Sequence, residues 1–334
     1  MPGPLKTSHK PDEDRPHAIP IVQVEDPVCN QHCVFCCSAG RPVKPLFSAI
    51  SRAFAQSGES VFIGVWEPTL SPQLLFWVEK ARELGKKTIG LRTNGIRLAE
   101  PGYARTLVRG GVTLFLVNFP SHLPPVCDAI TGTQNLSAKR VGGIKNAIAA
   151  CGKEAKTALI YVITVYNYRT MKGYVDFTAK EFPGISYISF NPVCQLGAAA
   201  VNRKLLVRFS DFTPYLRDAL AQCRKKGIAC IVDDVPLCFL DGAEEFSLDT
   251  ATLARGAEVP GGQKHKTEAC AKCSLAQLCP GPKDEYLRIF GDRELRPSRK
   301  NGSVVLDALA RMDGLATRKT PAKSARGRRK DLSK

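Results

Sequence analysis

Two apolar stretches decide the fold: residues 113–118 read Thr-Leu-Phe-Leu-Val-Asn, and residues 159–165 read Leu-Ile-Tyr-Val-Ile-Thr-Val. Runs that are apolar at nearly every position are typical of strands buried on both faces of a parallel sheet. Similar strands are predicted at 19–24, 60–63, 87–91 and 186–191. Amphipathic helices are predicted between them at 46–55, 72–84, 102–109, 137–150 and 171–180, with a last one at 211–226. Six strand–helix units in succession predict an α/β fold with a parallel sheet, open or curled into a partial barrel.

The pattern changes after Gly227, where we predict a domain boundary. The predicted order is a disordered N-terminus (1–18), a core domain (19–227), a small C-terminal domain (228–300), a helix (301–314) and a disordered basic tail (315–334). The tail contains Lys, Arg, Ala, Ser and Gly, a composition that cannot bury a core.

Composition favours an ordinary globular protein, with 44% hydrophobic and 24% charged residues in a chain of 334. No apolar run approaches the roughly 20 residues of a membrane-spanning helix, and the polar first residues do not resemble a secretory signal. We therefore expect a soluble cytoplasmic protein. The net charge is +17, and residues 315–334 contribute +7 of it. Because much of the charge lies in that tail, nucleic-acid binding is possible but not favoured.

Thirteen cysteines in a reducing compartment indicate metal ligation or catalysis rather than disulfides. The first group, Cys29-Asn-Gln-His-Cys33-Val-Phe-Cys36, follows the first predicted strand, at the edge where reactive sites of such folds lie. Three soft thiolates at this spacing suit a cubane iron–sulfur cluster and leave one iron without a protein ligand. A zinc site completed by His32 or Cys37 is the alternative.

The second group is Cys270-Ala-Lys-Cys273 followed by Cys279, with Cys238 as the predicted fourth ligand. Four cysteines fully ligate either one four-iron cluster or one zinc ion. The remaining cysteines are interpreted mainly as small buried thiols: Cys37, Cys127, Cys151, Cys194, Cys223 and Cys230.

The first group, with the aromatic Phe35 before its last cysteine, resembles the radical SAM superfamily. Further motifs follow in the family's order. Residues 63–70, Ile-Gly-Val-Trp-Glu-Pro-Thr-Leu, resemble its glycine-rich segment ending in Glu-Pro, except that Val65 and Trp66 replace two usual glycines. Residues 92–95 (Arg-Thr-Asn-Gly) and 128–132 (Asp-Ala-Ile-Thr-Gly) resemble its later turns.

This resemblance implies a partial (βα)6 TIM-like barrel that binds S-adenosylmethionine (SAM) and a [4Fe–4S] cluster through Cys29, Cys33 and Cys36. It also implies an electron donor such as flavodoxin or ferredoxin, and reductive cleavage of SAM to methionine and a 5′-deoxyadenosyl radical. The residues expected to contact SAM are Phe35, Gly64, Trp66, Glu67, Pro68, Asn94, Asn167 and Asn191.

The second group resembles the shortened SPASM extension called twitch, and Tyr286, Gly291 and Glu294 continue that likeness. Lys283 stands where the full SPASM pattern has a further cysteine, so one auxiliary [4Fe–4S] cluster is expected. Such a cluster favours a net two-electron oxidation of the substrate.

Several substrates stay open: a peptide or protein side chain, a small-molecule alcohol such as a sugar or aminocyclitol, and RNA. A non-enzymatic iron–sulfur or zinc scaffold is the alternative from another class. His122, Asp233 and Asp234 are weaker candidates for the site, each equally explained by a turn or a solvated loop, and no general base is assigned.

Overall fold

The computed structural model describes residues 21–39, 46–259 and 264–318, the side chains of 313–318 excepted. The predicted disordered N-terminus (1–18) and residues 319–334 of the predicted tail lie outside this range. Across the part described, no helix combines the length and the apolarity needed to cross a membrane.

The core is one parallel sheet whose strand order follows the sequence, β1 to β7. Every neighbouring pair is parallel; Leu159 of β5, for example, faces Ile188 of β6. Among the described residues β1 and β7 do not pair, so the sheet stays open as a partial barrel and the predicted fold class is confirmed. The strands are Ile21–Val22, Ser60–Ile63, Thr88–Thr93, Leu114–Asn118, Lys156–Ile163, Tyr187–Pro192 and Cys230–Val232.

Helices cover the strands at the connections that right-handed crossovers require. In chain order, α1 to α12 are Phe47–Gln56, Leu74–Glu83, Tyr103–Gly110, Pro124–Thr131, Ser137–Cys151, Met171–Glu181, Ala198–Val201, Phe209–Lys226, Leu248–Ala254, Glu268–Ala271, Asp284–Phe290 and Gly302–Arg318. Helix α4, which begins with two prolines, was not predicted. Proline suits the first helical turn because the backbone N–H that it lacks has no partner there.

Burial explains why the sheet forms where it does. Residues 157–161 of β5 are all buried, as expected for a strand covered on both faces. Aromatic rings fill the space between the sheet and α6: Phe119 lies 5.5 Å from Tyr174 and 5.7 Å from Phe182, measured between ring centroids. The strands are therefore held rigidly, and the loops at their carboxyl ends share a fixed base.

Two predicted boundaries differ from the structure. The boundary near Gly227 assigned residues 228–233 to the C-terminal domain, whereas β7 pairs with β6 through Ile188 and Cys230 and extends the core sheet. The strand is only three residues long, too short to show a clear period in the sequence. The predicted tail begins at residue 315, but α12 continues to Arg318.

The C-terminal region packs against α8 rather than standing apart. The Tyr286 ring stacks on Phe209 with centroids 3.8 Å apart, and the Phe209 amide donates to the Tyr286 hydroxyl at 2.8 Å. That hydroxyl in turn donates to Glu294. Two of the residues named in the twitch resemblance therefore anchor this region to the core.

Candidate active site

The loop that carries Cys29, Cys33 and Cys36 leaves β1 at the carboxyl edge of the sheet, and all three thiols are partly buried. We call residues 29–36 the cysteine loop. Its backbone is fixed from one side by the last turn of α4. The amides of His32 and Val34 donate to the carbonyls of Thr131 and Ile130, at 3.0 and 2.9 Å. Helix carbonyls that lack an intrahelical partner thus position the loop.

Two glycines allow neighbouring segments of backbone to approach the cysteine loop closely from both sides. Gly132 has φ 62°, and a Cβ there would lie 2.7 Å from the His32 carbonyl oxygen. On the other side, Ala198 donates to the Cys36 carbonyl at 2.9 Å, and a Cβ on Gly197 would overlap that same oxygen. Only glycine permits both the backbone angle and the close approach at these two positions.

The spread of the three sulfurs suits a cluster better than a single ion. Within the described residues, the one group of three or more His, Cys, Asp or Glu ligand atoms all within 4.8 Å of one another is Asp233, Asp234 and Asp249. At least one pair of the loop's Sγ atoms is therefore farther apart than that. A tetrahedral zinc ion needs sulfurs about 3.8 Å apart, given Zn–S bonds of about 2.3 Å. The residues present fit a [4Fe–4S] cluster in their chemistry, because such clusters are held by cysteine thiolates and this loop offers three of them.

Burial also governs the charge state of these thiols. It raises the pKa of Cys29 to about 11 and that of Cys33 to about 12, and the negative charge of neighbouring cysteines adds to the increase. The free thiols are therefore protonated near neutral pH. A bound cluster needs them as thiolates, so cluster binding releases protons.

The segment after β2 lies beside the cysteine loop and is fixed by a residue that sequence reasoning missed. The buried carboxylate of Glu25 accepts hydrogen bonds from the amides of Val65 (3.2 Å), Trp66 (2.9 Å) and Val24 (2.9 Å). The Ser38 hydroxyl donates to the Val65 carbonyl. Glu25 therefore orients the backbone where Val65 and Trp66 replace two glycines of the family pattern.

Gly64 keeps the close approach that this segment needs. It has φ 141°, and a Cβ there would lie 2.7 Å from the Arg92 carbonyl oxygen on β3. Glu67 is fully buried and joins the ends of β2 and β3: it accepts from Thr69, from the Thr93 hydroxyl at 2.6 Å and from the Asn94 amide at 2.7 Å. Burial raises the pKa of this carboxyl despite those hydrogen bonds. Its side chain faces protein groups, so its contribution is to shape the segment.

The asparagines predicted to contact SAM differ in how many of their side-chain hydrogen-bonding groups are already used within the protein. Asn94 is buried and donates to the Asn30 side chain at 2.6 Å, which connects β3 to the cysteine loop. Asn167 is fully buried. Its amide oxygen accepts twice from Thr164, and its nitrogen donates to two carbonyls at 2.8 Å. Because every hydrogen-bonding position of Asn167 is occupied, the structure does not support its predicted contact with SAM.

The other predicted contact residues stay predictions. Phe35 is half-buried on the cysteine loop and Asn191 is half-buried at the end of β6, where it accepts from Ser189. The indole nitrogen of Trp66 is buried without a hydrogen-bond partner among the described residues. Pro68 is buried and begins the turn that follows Glu67.

The second cysteine group lines one cavity. It encloses about 410 Å³ of space free of protein atoms, including the part that opens to solvent, and its walls include Cys238, Cys270, Cys273 and Cys279. No three of these sulfurs lie within 4.8 Å of one another. The Ser298 amide donates to the Cys273 sulfur at 3.3 Å, and burial raises the pKa of Cys238 to about 12.

The weaker candidates lie in other surroundings. His122 packs against Tyr174 and Phe177, with ring centroids 6.2 and 5.8 Å away, in the helical layer. Asp233 and Asp234 follow β7 beside Asp249, but Lys264 contacts both Asp234 (2.8 Å) and Asp249 (2.7 Å). Lys283 pairs with Asp234 as well. We interpret this network as a junction held by ion pairs, since the two lysines occupy the place of a cation among the three carboxyl groups.

Residues 27–178 match the sequence model of the radical SAM superfamily. This segment is a radical SAM domain. It contains the cysteine loop, the segment after β2 that includes Glu67, and the turn at Asn94. It also contains helix α4, whose last carbonyls hold the loop on one side. No curated protein sequence matches the chain significantly.

Solved radical SAM structures share the fold at low identity. The SAM-bound structure of Streptococcus suis SuiB aligns with a TM-score of 0.55 and 15% identity over 84% of this chain and 76% of that one. The anSMEcpe structure with bound AdoMet aligns with a TM-score of 0.54 and 15% identity over 87% of this chain and 97% of that one. SuiB bound to its precursor peptide SuiA aligns with a TM-score of 0.51 and 16% identity over 64% of this chain and 48% of that one. The chain thus spans about half of SuiB in that alignment, and 46% in another.

Proposed function

We propose that this chain is an enzyme that binds a [4Fe–4S] cluster through Cys29, Cys33 and Cys36 and cleaves SAM. The observation that carries the proposal is the clamped loop of three thiols at the carboxyl edge of a parallel sheet, inside the radical SAM domain. The chain supplies three sulfur ligands there, which leaves one iron of a four-iron cluster to SAM. We place the enzyme in the cytoplasm, where thiols stay reduced.

A cluster held by Cys29, Cys33 and Cys36, reduced by a donor such as flavodoxin or ferredoxin, would supply the electron that cleaves SAM to methionine and a 5′-deoxyadenosyl radical, and that radical would take a hydrogen atom from the substrate. The protein's part is to position and shield. Backbone donors fix the cysteine loop on two sides, and Glu25 fixes the segment after β2. Partial burial of the three thiols limits access of water to the site.

The cavity of the second cysteine group supports an auxiliary [4Fe–4S] cluster of the twitch type. Four thiolates satisfy all four irons, so this site suits electron transfer and not substrate binding. A cluster held by Cys238, Cys270, Cys273 and Cys279 would supply an acceptor for the second electron of a two-electron oxidation. We therefore propose an oxidoreductase of the maturase type.

For the substrate we propose a peptide or protein side chain. The shared fold with SuiB, whose structure is known with a precursor peptide, supports this class. Deuterium transfer tests it, because hydrogen abstraction labels 5′-deoxyadenosine. Label arising from a deuterated peptide pool is the expected result. Label arising only from deuterated sugars or aminocyclitols would replace the peptide with a small-molecule alcohol.

The test of the central proposal is 5′-deoxyadenosine formation by anaerobically reconstituted, reduced protein. Alanine at Cys29, Cys33 or Cys36 is expected to abolish it. Cys37→Ala is the matched control, because Cys37 is an exposed neighbour in the same segment and should retain the wild-type yield. Undiminished yield in any of the three variants would contradict the proposal.

Metal content tests the second site separately. Two four-iron clusters predict about eight irons per chain after anaerobic purification, with two cluster signals in EPR or Mössbauer spectra. Four irons and one zinc would refute the auxiliary cluster and leave SAM cleavage untouched.

A further inference from the structure

The core of the radical SAM domain contains a buried positive charge. Arg140 of α5 is 0% exposed and shares the buried face of the helix with Ile144 and Ala147. Its guanidinium is always charged and has five N–H donors. Nη1 donates to the Cys127 sulfur at 2.9 Å, whereas Nε and Nη2 have no hydrogen-bond partner among the described residues.

No described residue supplies a counter-ion for Arg140. None of the ion pairs found in the described part of the chain includes it. Cys127 is also 0% exposed, and burial raises the pKa of its thiol although the positive charge of Arg140 opposes that rise. Cys127 is therefore neutral near pH 7. A buried charge without a counter-ion is strongly unfavourable, so this arrangement calls for an anion that binds nearby.

Arg140 lies behind the cysteine loop. Helix α4, which carries Cys127, is the element whose Ile130 and Thr131 carbonyls hold the loop. The Thr131 hydroxyl donates to the Cys127 carbonyl at 2.8 Å, so Cys127 and the Arg140 guanidinium that contacts it lie one helical turn from those two carbonyls.

We propose that Arg140 is the internal counter-charge of the cysteine loop: it compensates the negative charge of a cluster bound by Cys29, Cys33 and Cys36 and thereby raises its reduction potential. The inference rests on the proposed function. One-electron reduction by the external donor adds a negative charge to the cluster, and a buried cation stabilises that form more than the oxidised one. The free N–H groups of Arg140 are suitable donors to sulfur, another factor that raises such potentials.

A purely structural role makes the opposite prediction for the apoprotein. If Arg140 only braces α5 against Cys127, its removal destabilises the fold with or without iron. As a counter-charge it is unfavourable in the apoprotein and favourable once the cluster is bound. The sign of the effect on the apoprotein therefore separates the two roles.

Arg140→Met tests the inference, because Met has similar length and no charge. We expect apoprotein at least as resistant to urea as wild type, and less iron retained after reconstitution. The EPR signal that changes on SAM addition should titrate at a more negative midpoint potential. Lys139→Met is the matched control: it removes the same charge from the adjacent exposed position, where solvent screens it, and should change none of these readouts.

Arg140→Lys keeps the charge and should titrate closer to wild type than Arg140→Met does. An unchanged potential in Arg140→Met overturns the inference, and so does an apoprotein that is less stable or fails to fold. Wild-type protein that takes up no cluster at the loop would instead refute the proposed function on which the inference rests.

Discussion

The two cysteine sites of this chain are built in different ways. The first places three thiols on one short loop, held by backbone hydrogen bonds from α4 and from the residues that begin α7. The second gathers four thiols from separate turns around one cavity. The number of sulfur ligands decides what each can do. A four-iron cluster with three protein ligands can bind a substrate at its fourth iron, whereas one with four protein ligands can only store or transfer an electron.

Cysteine substitutions should give the largest difference between the sites. Cys33→Ala is expected to abolish the formation of both 5′-deoxyadenosine and product, because SAM cleavage is the first step and all later steps depend on it. Cys273→Ala should abolish product and retain most 5′-deoxyadenosine, since only the final electron acceptor is lost. Chromatography of both species in one assay checks this. If Cys273→Ala also abolished 5′-deoxyadenosine, the two sites would not be functionally separate.

Glycine substitutions should remove one metal site at a time. A Cβ on Gly197 would overlap the Cys36 carbonyl, and one on Gly281 would overlap the His265 carbonyl beside the second cavity. Each alanine variant should lose iron from its own site and about 1–3 kcal/mol of unfolding free energy, as overpacking typically does. Gly256→Ala is the control, because Gly256 also has positive φ (71°) but nothing within 4 Å of the added Cβ. Iron analysis and urea unfolding are the measurements, and equal iron loss in all three variants would refute the steric explanation.

Replacing Glu25 should affect SAM binding at the first site without affecting its cluster. In Glu25→Gln one amide oxygen remains to serve the three backbone N–H groups that the carboxylate now accepts. We expect SAM affinity to fall about tenfold, which corresponds to about 1.4 kcal/mol. Anaerobic calorimetry of the reconstituted protein measures it, with exposed Glu83→Gln as the control. Loss of iron from Glu25→Gln would show that Glu25 supports the cysteine loop instead.

The charged junction beside the second site should affect stability and not SAM cleavage. Burial, together with Asp234 and Asp249, raises the pKa of Asp233 to about 6. A raised carboxyl pKa destabilises the folded state once the group ionises, so stability falls as pH rises from about 4 to about 6. Asp233→Asn should stabilise the apoprotein by about 3 kcal/mol at pH 7.5 and by about half of that at pH 5. Urea unfolding at the two pH values checks this, and a pH-independent difference would contradict it.

The parts that the sequence predicts well are those set by local pattern. β5 leaves a continuous apolar run because residues on both of its faces are buried, and the cysteine spacings are visible without a structure. In β4, whose sequence is as apolar, buried positions alternate with partly buried ones, so only one of its faces is fully covered. β7 was assigned to the wrong domain because three residues show no period. The sequence does not show that the Asn167 amide is fully hydrogen-bonded, because one of its partners, the Pro120 carbonyl, comes from the end of another strand.

The roles of Glu25 and Arg140 depend on segments far away in the chain. Nothing near Glu25 indicates that its carboxylate would hold the backbone of Val65 and Trp66, which only the folded sheet brings close. Arg140 left a weak signal: it occupies the same helical face as Ile144 and Ala147, where a charged residue is unusual. An arginine on an apolar helix face next to a cysteine-rich motif is therefore worth testing as a partner of the metal site.

The double clamp on the cysteine loop has a consequence for biosynthesis. The loop is translated early, whereas the residues that fix it, Ile130 and Thr131 on one side and Gly197 and Ala198 on the other, emerge from the ribosome much later. Until then Cys29, Cys33 and Cys36 lie in an unsupported stretch of nascent polypeptide, open to oxidants and to stray metal ions. Iron delivery therefore belongs after the sixth strand has left the exit tunnel.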